Sequence, residues 1–194
     1  MTTLGGWLLG VLLGIRHAFE PDHLAAVATL VRGERTFRRA ARLGALWGAG
    51  HTLALLAVGL VLAILQARLP ARVETAFEMG VAVMLIVLGI GALRGPKATP
   101  PLRIRRPLAI GVVHGLAGSG VLTAFVIANL PGAAARLIYI ALFGLGSLFG
   151  MALVSGLFGW PLARIGARAE RVLGLITGAL STILGLFWLA QAVF

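Results

Sequence analysis

Six apolar stretches, each about as long as a bilayer is thick, constrain this chain more than any other feature. They run through residues 4–31, 43–66, 74–93, 108–130, 136–162 and 172–194, and a transmembrane helix needs roughly 20 predominantly apolar residues. Hydrophobic residues make up 59% of the 194 and charged residues only 12%, with a mean hydropathy of +1.00. A soluble domain is about 25% charged, so this chain could not cover a water-facing surface. Its 27 glycines suit helices that pack closely in lipid. The expected fold is an all-α integral membrane protein with six transmembrane helices.

The basic residues set the orientation. Arg32, Arg35, Arg38, Arg39 and Arg42 lie between the first two stretches, Arg94, Lys97, Arg103, Arg105 and Arg106 between the third and fourth, and Arg164, Arg168 and Arg171 between the last two. These are thirteen of the 17 Lys and Arg residues; Arg68, Arg72 and Arg136 lie on the other side, and Arg16 within the first stretch. Basic loops stay cytoplasmic, so both termini are expected outside the cytoplasm of a cell (inner) membrane. The N-terminus lacks a basic leader region and is read as a span rather than a cleaved signal. Placed this way, the net charge of +11 reports topology in a lipid bilayer, and nucleic acid is not an expected partner. With no cysteine, disulfides, thiolate metal sites and iron–sulfur clusters are excluded.

The chain also repeats itself at an offset of 96 or 97 residues. Gly14-Ile-Arg-His17 corresponds to Gly111-Val-Val-His114, Leu46-Trp-Gly48-Ala-Gly50-His51 to Leu142-Phe-Gly144-Leu-Gly146-Ser147, and Ala71-Arg72-Val-Glu74 to Ala167-Arg168-Ala-Glu170. Three spans per half make the second copy inverted in the membrane, a common plan of secondary transporters, whose sites lie near the midplane. The expected organisation is a first repeat over residues 1–93, a cytoplasmic basic and proline-rich linker over 94–107, and a second, inverted repeat over 108–194.

None of the 4 histidines falls in a loop. Arg16-His17-Ala-Phe-Glu20-Pro21-Asp22-His23 puts five ionisable groups into one apolar segment, with His51 in the second span and His114 in the fourth. Charged groups cost about 2.5–3.5 kcal/mol each at the bilayer centre even on insertion scales, so such a cluster pairs, faces water or binds something. On an ideal helix His17 and Asp22 would stand about 140° apart. Pro21 removes an N–H and disrupts the preceding turn, so the first span is expected to break there and swing Asp22 and His23 round. Imidazoles with a carboxylate and no thiolate suit nickel, cobalt, zinc or copper(II). His17, Asp22, His23 and His51 are the candidate ligands, with His114 reaching in from the other half and Glu20 as a ligand or as an acceptor orienting an imidazole. Plainer roles stand beside these: His114 as a helix–helix hydrogen bond, His51 as a packing residue, and Arg16 paired with Glu20 at i, i+4 spacing. Glu74 and Glu78 read as a solvated face.

His17-Ala-Phe-Glu20-Pro21-Asp22-His23 resembles the signature of the nickel/cobalt transporter family, a histidine followed after four residues by Asp-His. Gly50-His51-Thr52 resembles that family's second motif, and Gly111-Val-Val-His114-Gly115-Leu-Ala-Gly118-Ser119 is similar to its short branch, the urease-accessory nickel permeases. This chain has Glu20 and Pro21 where the typical motif has Asp and Ala, and it lacks the later acidic motif of the longer members. The resemblance implies a secondary permease for Ni²⁺ or Co²⁺, with His17, Asp22, His23 and His51 at the selectivity site and the ion as cargo rather than resident cofactor.

The leading expectation is therefore metal-ion uptake, alternately exposed to the two sides by rocking of the repeats. An exporter on the same fold and a membrane-embedded metalloenzyme remain as alternatives. The enzyme reading lacks a His-Glu-x-x-His motif, and no phosphate-binding Gly-Lys-Ser/Thr loop supports an ATP-driven pump. Association with further copies of the chain stays open.

Overall fold

The computed structural model describes residues 3–32, 34, 36–65, 67, 69–95, 104–130, 132–162 and 166–193. Most of the expected linker, residues 96–103, lies outside them, as do Arg35, Arg68, Arg164 and the side chain of Ser119. Seven helices follow one another: α1 (Thr3–His17), α2 (Pro21–Leu30), α3 (Phe37–Leu65), α4 (Ala71–Leu93), α5 (Arg105–Asn129), α6 (Ala133–Leu162) and α7 (Ala167–Val193). Four contain stretches long and apolar enough to cross a membrane: Phe37–Leu62, Ala71–Leu93, Ala133–Pro161 and Arg168–Ala192. Their outward faces carry Leu60, Ile64, Val87, Leu145, Phe149, Leu180 and Ile183, all exposed, as a surface against lipid tails requires. The chain is a helical membrane protein.

The first apolar stretch is two short helices. Proline has no N–H and pushes the residue before it out of the helical region. Glu20 accordingly takes an extended conformation (φ −65°, ψ 149°) and Pro21 becomes the first residue of α2. The amides of Ala18, Phe19 and Glu20 turn back onto the carbonyls of Ile15, Arg16 and His17, closing α1 just before the break. Asp22 falls in the first turn of α2, where the helix dipole favours an anion. α5 starts at Arg105, three residues earlier than the expected span, because a proline such as Pro107 is tolerated in a first helical turn.

The two halves of the chain do not stand apart as separate bundles. The most extensive packing joins α3 to α6 and α5, α1 to α6, and α4 to α7, always across the halves. Glycines make these approaches possible. A Cβ at Gly14 would fall on the carbonyl of Phe143, one at Gly111 on that of Trp47, one at Gly50 on that of Leu108, and one at Gly146 on that of Val11. Between α4 and α7, Gly89 meets the Gly178 carbonyl and Gly185 the Ala82 carbonyl, while Ser181 donates to the carbonyl of Leu85 at 2.9 Å. Beyond α2, the Arg32 guanidinium donates to the Ala92 carbonyl, tying the end of the broken span to the end of α4.

Candidate metal centre

The break in the first span, α3 and α5 deliver the site. His17 ends α1 and Asp22 and His23 open α2, so the extended Glu20 between them lets both half-helices aim side chains at one place. The ring centroids of His17 and His23 lie 4.3 Å apart, which a continuous helix would not allow. α5 reaches the cluster because Gly111 and Gly115 ride on the backbone of α3 at Trp47 and His51. With no side chain at either glycine, His114 comes to 4.0 Å from His23 between ring centroids. His51 sits 5.2 Å from His17 and 5.5 Å from His23 by the same measure.

His23 and His51 are fully buried and His114 and Asp22 nearly so. Asp22 Oδ2 binds His114 Nε2 at 2.6 Å and lies 3.2 Å from His23 Nδ1. A buried carboxylate in a membrane segment needs such partners, and it finds one of them in the opposite half of the chain. Glu20, half exposed, holds His17 Nδ1 at 2.9 Å. The expected Arg16–Glu20 pair is therefore replaced by His17–Glu20. The i, i+4 geometry needs a continuous helix, and α1 has already ended when the chain reaches Glu20.

Several buried ring nitrogens have no hydrogen-bond partner among the described residues: His17 Nε2, His23 Nε2, His114 Nδ1 and both nitrogens of His51. Buried polar atoms are normally satisfied, so a concentration of imidazole nitrogens without partners in one place marks a candidate binding site. Two sets of ligand atoms lie within 4.8 Å of one another, His17–His23–His51 and Asp22–His23–His114. All six residues singled out from the sequence thus meet here, five as inward-facing groups and Glu20 at the edge, where it orients His17.

Two further residues belong to the site. Trp47, fully buried, lies 5.3 Å from the His23 ring and 5.7 Å from that of His114. It stands one turn before His51 on α3, so helical spacing from a suspected ligand was the signal for it. Gly118 of α5 borders the cluster: a Cβ there would lie 3.9 Å from His17 Nε2 and from His51 Cε1.

No protein-family model and no solved structure matches the chain. Two chloroplast proteins of Arabidopsis thaliana, FOR GROWTH AND FERTILITY 1 and 2, are 26% and 27% identical to it over 209 and 195 residues. Those matches take in 92% and 90% of this chain but 57% and 52% of the plant proteins, so the chain spans little more than half their length. The urease accessory protein UreH of Bacillus sp. (strain TB-90) is 32% identical over 203 residues, spanning 93% of this chain and 89% of that one. Similarity of that extent along both chains makes this protein a member of the family of the urease accessory protein UreH.

Proposed function

We propose that the chain is a secondary permease for divalent transition-metal ions, taking Ni²⁺ or Co²⁺ into the cell through the His/Asp cluster. The observation that carries this reading is the convergence of four histidines and Asp22 in a buried cluster whose ring nitrogens lack partners. Borderline divalent ions prefer that donor set, and ionisable groups inside membrane segments mark ion pathways. The motif resemblance to nickel/cobalt transporters points the same way. The urease accessory role named for the Bacillus relative suits a protein supplying nickel.

In this proposal the protein has six spans, α1 and α2 together forming the first, arranged as inverted halves 1–93 and 108–194 about a cytoplasmic linker. Both termini lie outside the cytoplasm of the inner membrane. The pairing of contacts supports the repeat: Gly14 on Phe143 has its counterpart in Gly111 on Trp47, and Gly89 on Gly178 in Gly185 on Ala82, at the offset of 96 or 97 residues read from the sequence. Because the halves interlock, alternating access is assigned to movement of the α4–α7 pair against α1, α3, α5 and α6, with α2 between them, rather than to one repeat rocking on the other. His17, Asp22, His23, His51 and His114 strip the ion of water, and Glu20 positions His17.

The test is radiolabelled nickel accumulation in cells expressing the chain beside the Asp22→Ala and His23→Ala variants. Accumulation that both variants abolish is expected. A level below the empty-vector control would mean export, and wild-type levels in both variants would remove the cluster from the transport path.

A further inference from the structure

The five inward-facing groups do not close into one ring of ligands. They form two triads that share a single residue, His17–His23–His51 and Asp22–His23–His114. His51 and His114 stand 6.2 Å apart between ring centroids, and each completes a different triad.

The triads differ in three ways. In hydrogen bonding, ring nitrogens without partners among the described residues occur in both, on His17 and His51 in the first and on His114 in the second, but only the second has an internal pair, Asp22 Oδ2 with His114 Nε2 at 2.6 Å. In donor type, the first triad is three imidazoles, while the second includes a carboxylate. In exposure, the first triad has one member at the edge, His17, whose side chain is 14% exposed and touches the half-exposed Glu20, while its His23 and His51 are as buried as Asp22 and His114 of the second. The first triad is all imidazole and reaches the edge of the cluster through His17; the second contains a carboxylate and is buried throughout.

His23 links them. A neutral imidazole has one nitrogen lone pair, the other nitrogen carrying hydrogen, so His23 can complete only one triad at a time. Two dications at such separation in a weakly screened interior would also repel strongly. We infer that the cluster provides two alternative positions for one divalent ion, an outer all-imidazole position at His17–His23–His51 and an inner carboxylate position at Asp22–His23–His114, with His23 passing the ion between them. This rests on the metal-permease reading. The ion enters at His17, at the edge of the cluster, and moves inward when Asp22 and the unpartnered Nδ1 of His114 bind it, the Nε2 hydrogen of His114 staying on its bond to Asp22. No covalent bond changes; ligand bonds to the ion are exchanged and His23 is common to both sets.

The test uses purified full-length protein in detergent with Co²⁺ as the probe, read by equilibrium dialysis and by the visible bands of bound cobalt, which report ligand type. Wild type should bind one Co²⁺ per chain. Removing the outer position with His51→Ala or His17→Gln should leave one bound Co²⁺ whose bands differ from those of the Co²⁺ retained by Asp22→Asn or His114→Gln. His23→Ala should lose binding, and all five variants should lose uptake. Using two variants per triad protects the result against a single variant that does not fold. Two Co²⁺ per wild-type chain would overturn the shared-residue inference, as would loss of all binding in every folded variant of either triad. Absence of Co²⁺ and Ni²⁺ binding by the wild type would instead overturn the permease reading itself.

Discussion

Asp22 Oδ2 and His114 Nε2 lie 2.6 Å apart although 92 residues separate them in the chain. The contact joins the first turn of α2 to the middle of α5, so it fastens the two halves together at the point where the candidate ligands meet. A hydrogen bond to a charged group contributes about 1.5–3 kcal/mol, and contacting residues show coupling that distant ones do not. A double-mutant cycle with Asp22→Asn and His114→Gln, read by thermal unfolding in detergent, should therefore return a coupling energy of about 1–3 kcal/mol. Strictly additive effects would show that the pair does not fasten the halves.

Among the described residues, the Glu20 side chain meets the site at His17 Nδ1. Groups that orient a metal-binding imidazole typically change affinity by about 10–100-fold when removed. Glu20→Ala should raise the half-saturation concentration for nickel uptake by that order while leaving the maximal rate largely intact. Glu20→Gln, which keeps an acceptor oxygen, should lie between wild type and Glu20→Ala. A collapse of the maximal rate with unchanged half-saturation would instead make Glu20 part of the transport step.

Pro21 makes the break that brings His17 and His23 together. Pro21→Ala restores an N–H and removes the clash that ends the helix, allowing α1 to run on into α2 and carrying Asp22 and His23 away from His17. Uptake should fall to background while expression and membrane insertion persist. Retention of full uptake would mean that the break is held by the packing of α2 alone.

The close approach of α5 to α3 depends on Gly111, whose Cβ would fall on the Trp47 carbonyl. Gly111→Val should destabilise the protein by at least the about 1–3 kcal/mol typical of overpacking and abolish uptake, because His114 rides on the same helix. Gly91 has nothing near its missing side chain, so Gly91→Ala should behave as wild type in both unfolding and uptake. Equal effects from the two substitutions would contradict the seam.

Much of the site could be read from one line of sequence, because His17, Asp22 and His23 crowd a segment where lipid makes each costly, and Pro21 explains how they can converge. What the residues did not announce is which groups face one another. Arg16 and Glu20 have helical spacing, yet the chain leaves the helix between them and Glu20 turns to His17. Trp47 has helical spacing to His51, but nothing in that spacing says that its ring lies beside His23 and His114. The repeat suggested two bodies, whereas the glycine seams between α3 and α5 and between α1 and α6 interleave them. Such contacts are decided by backbone approach, and sequence periodicity carries no information about the partner a small residue meets.

The contact between Asp22 and His114 also has a consequence for biosynthesis. The ribosome delivers Asp22 long before α5, so until the second half arrives the nascent chain carries a membrane carboxylate with only the neighbouring His23 beside it. Stopping translation within the linker would leave a first half unable to bury that charge well, a natural target for membrane quality control. Made as two polypeptides divided in the linker, each half should be degraded when expressed alone and accumulate when the two are made together, with Asp22 finding His114 across a cut chain.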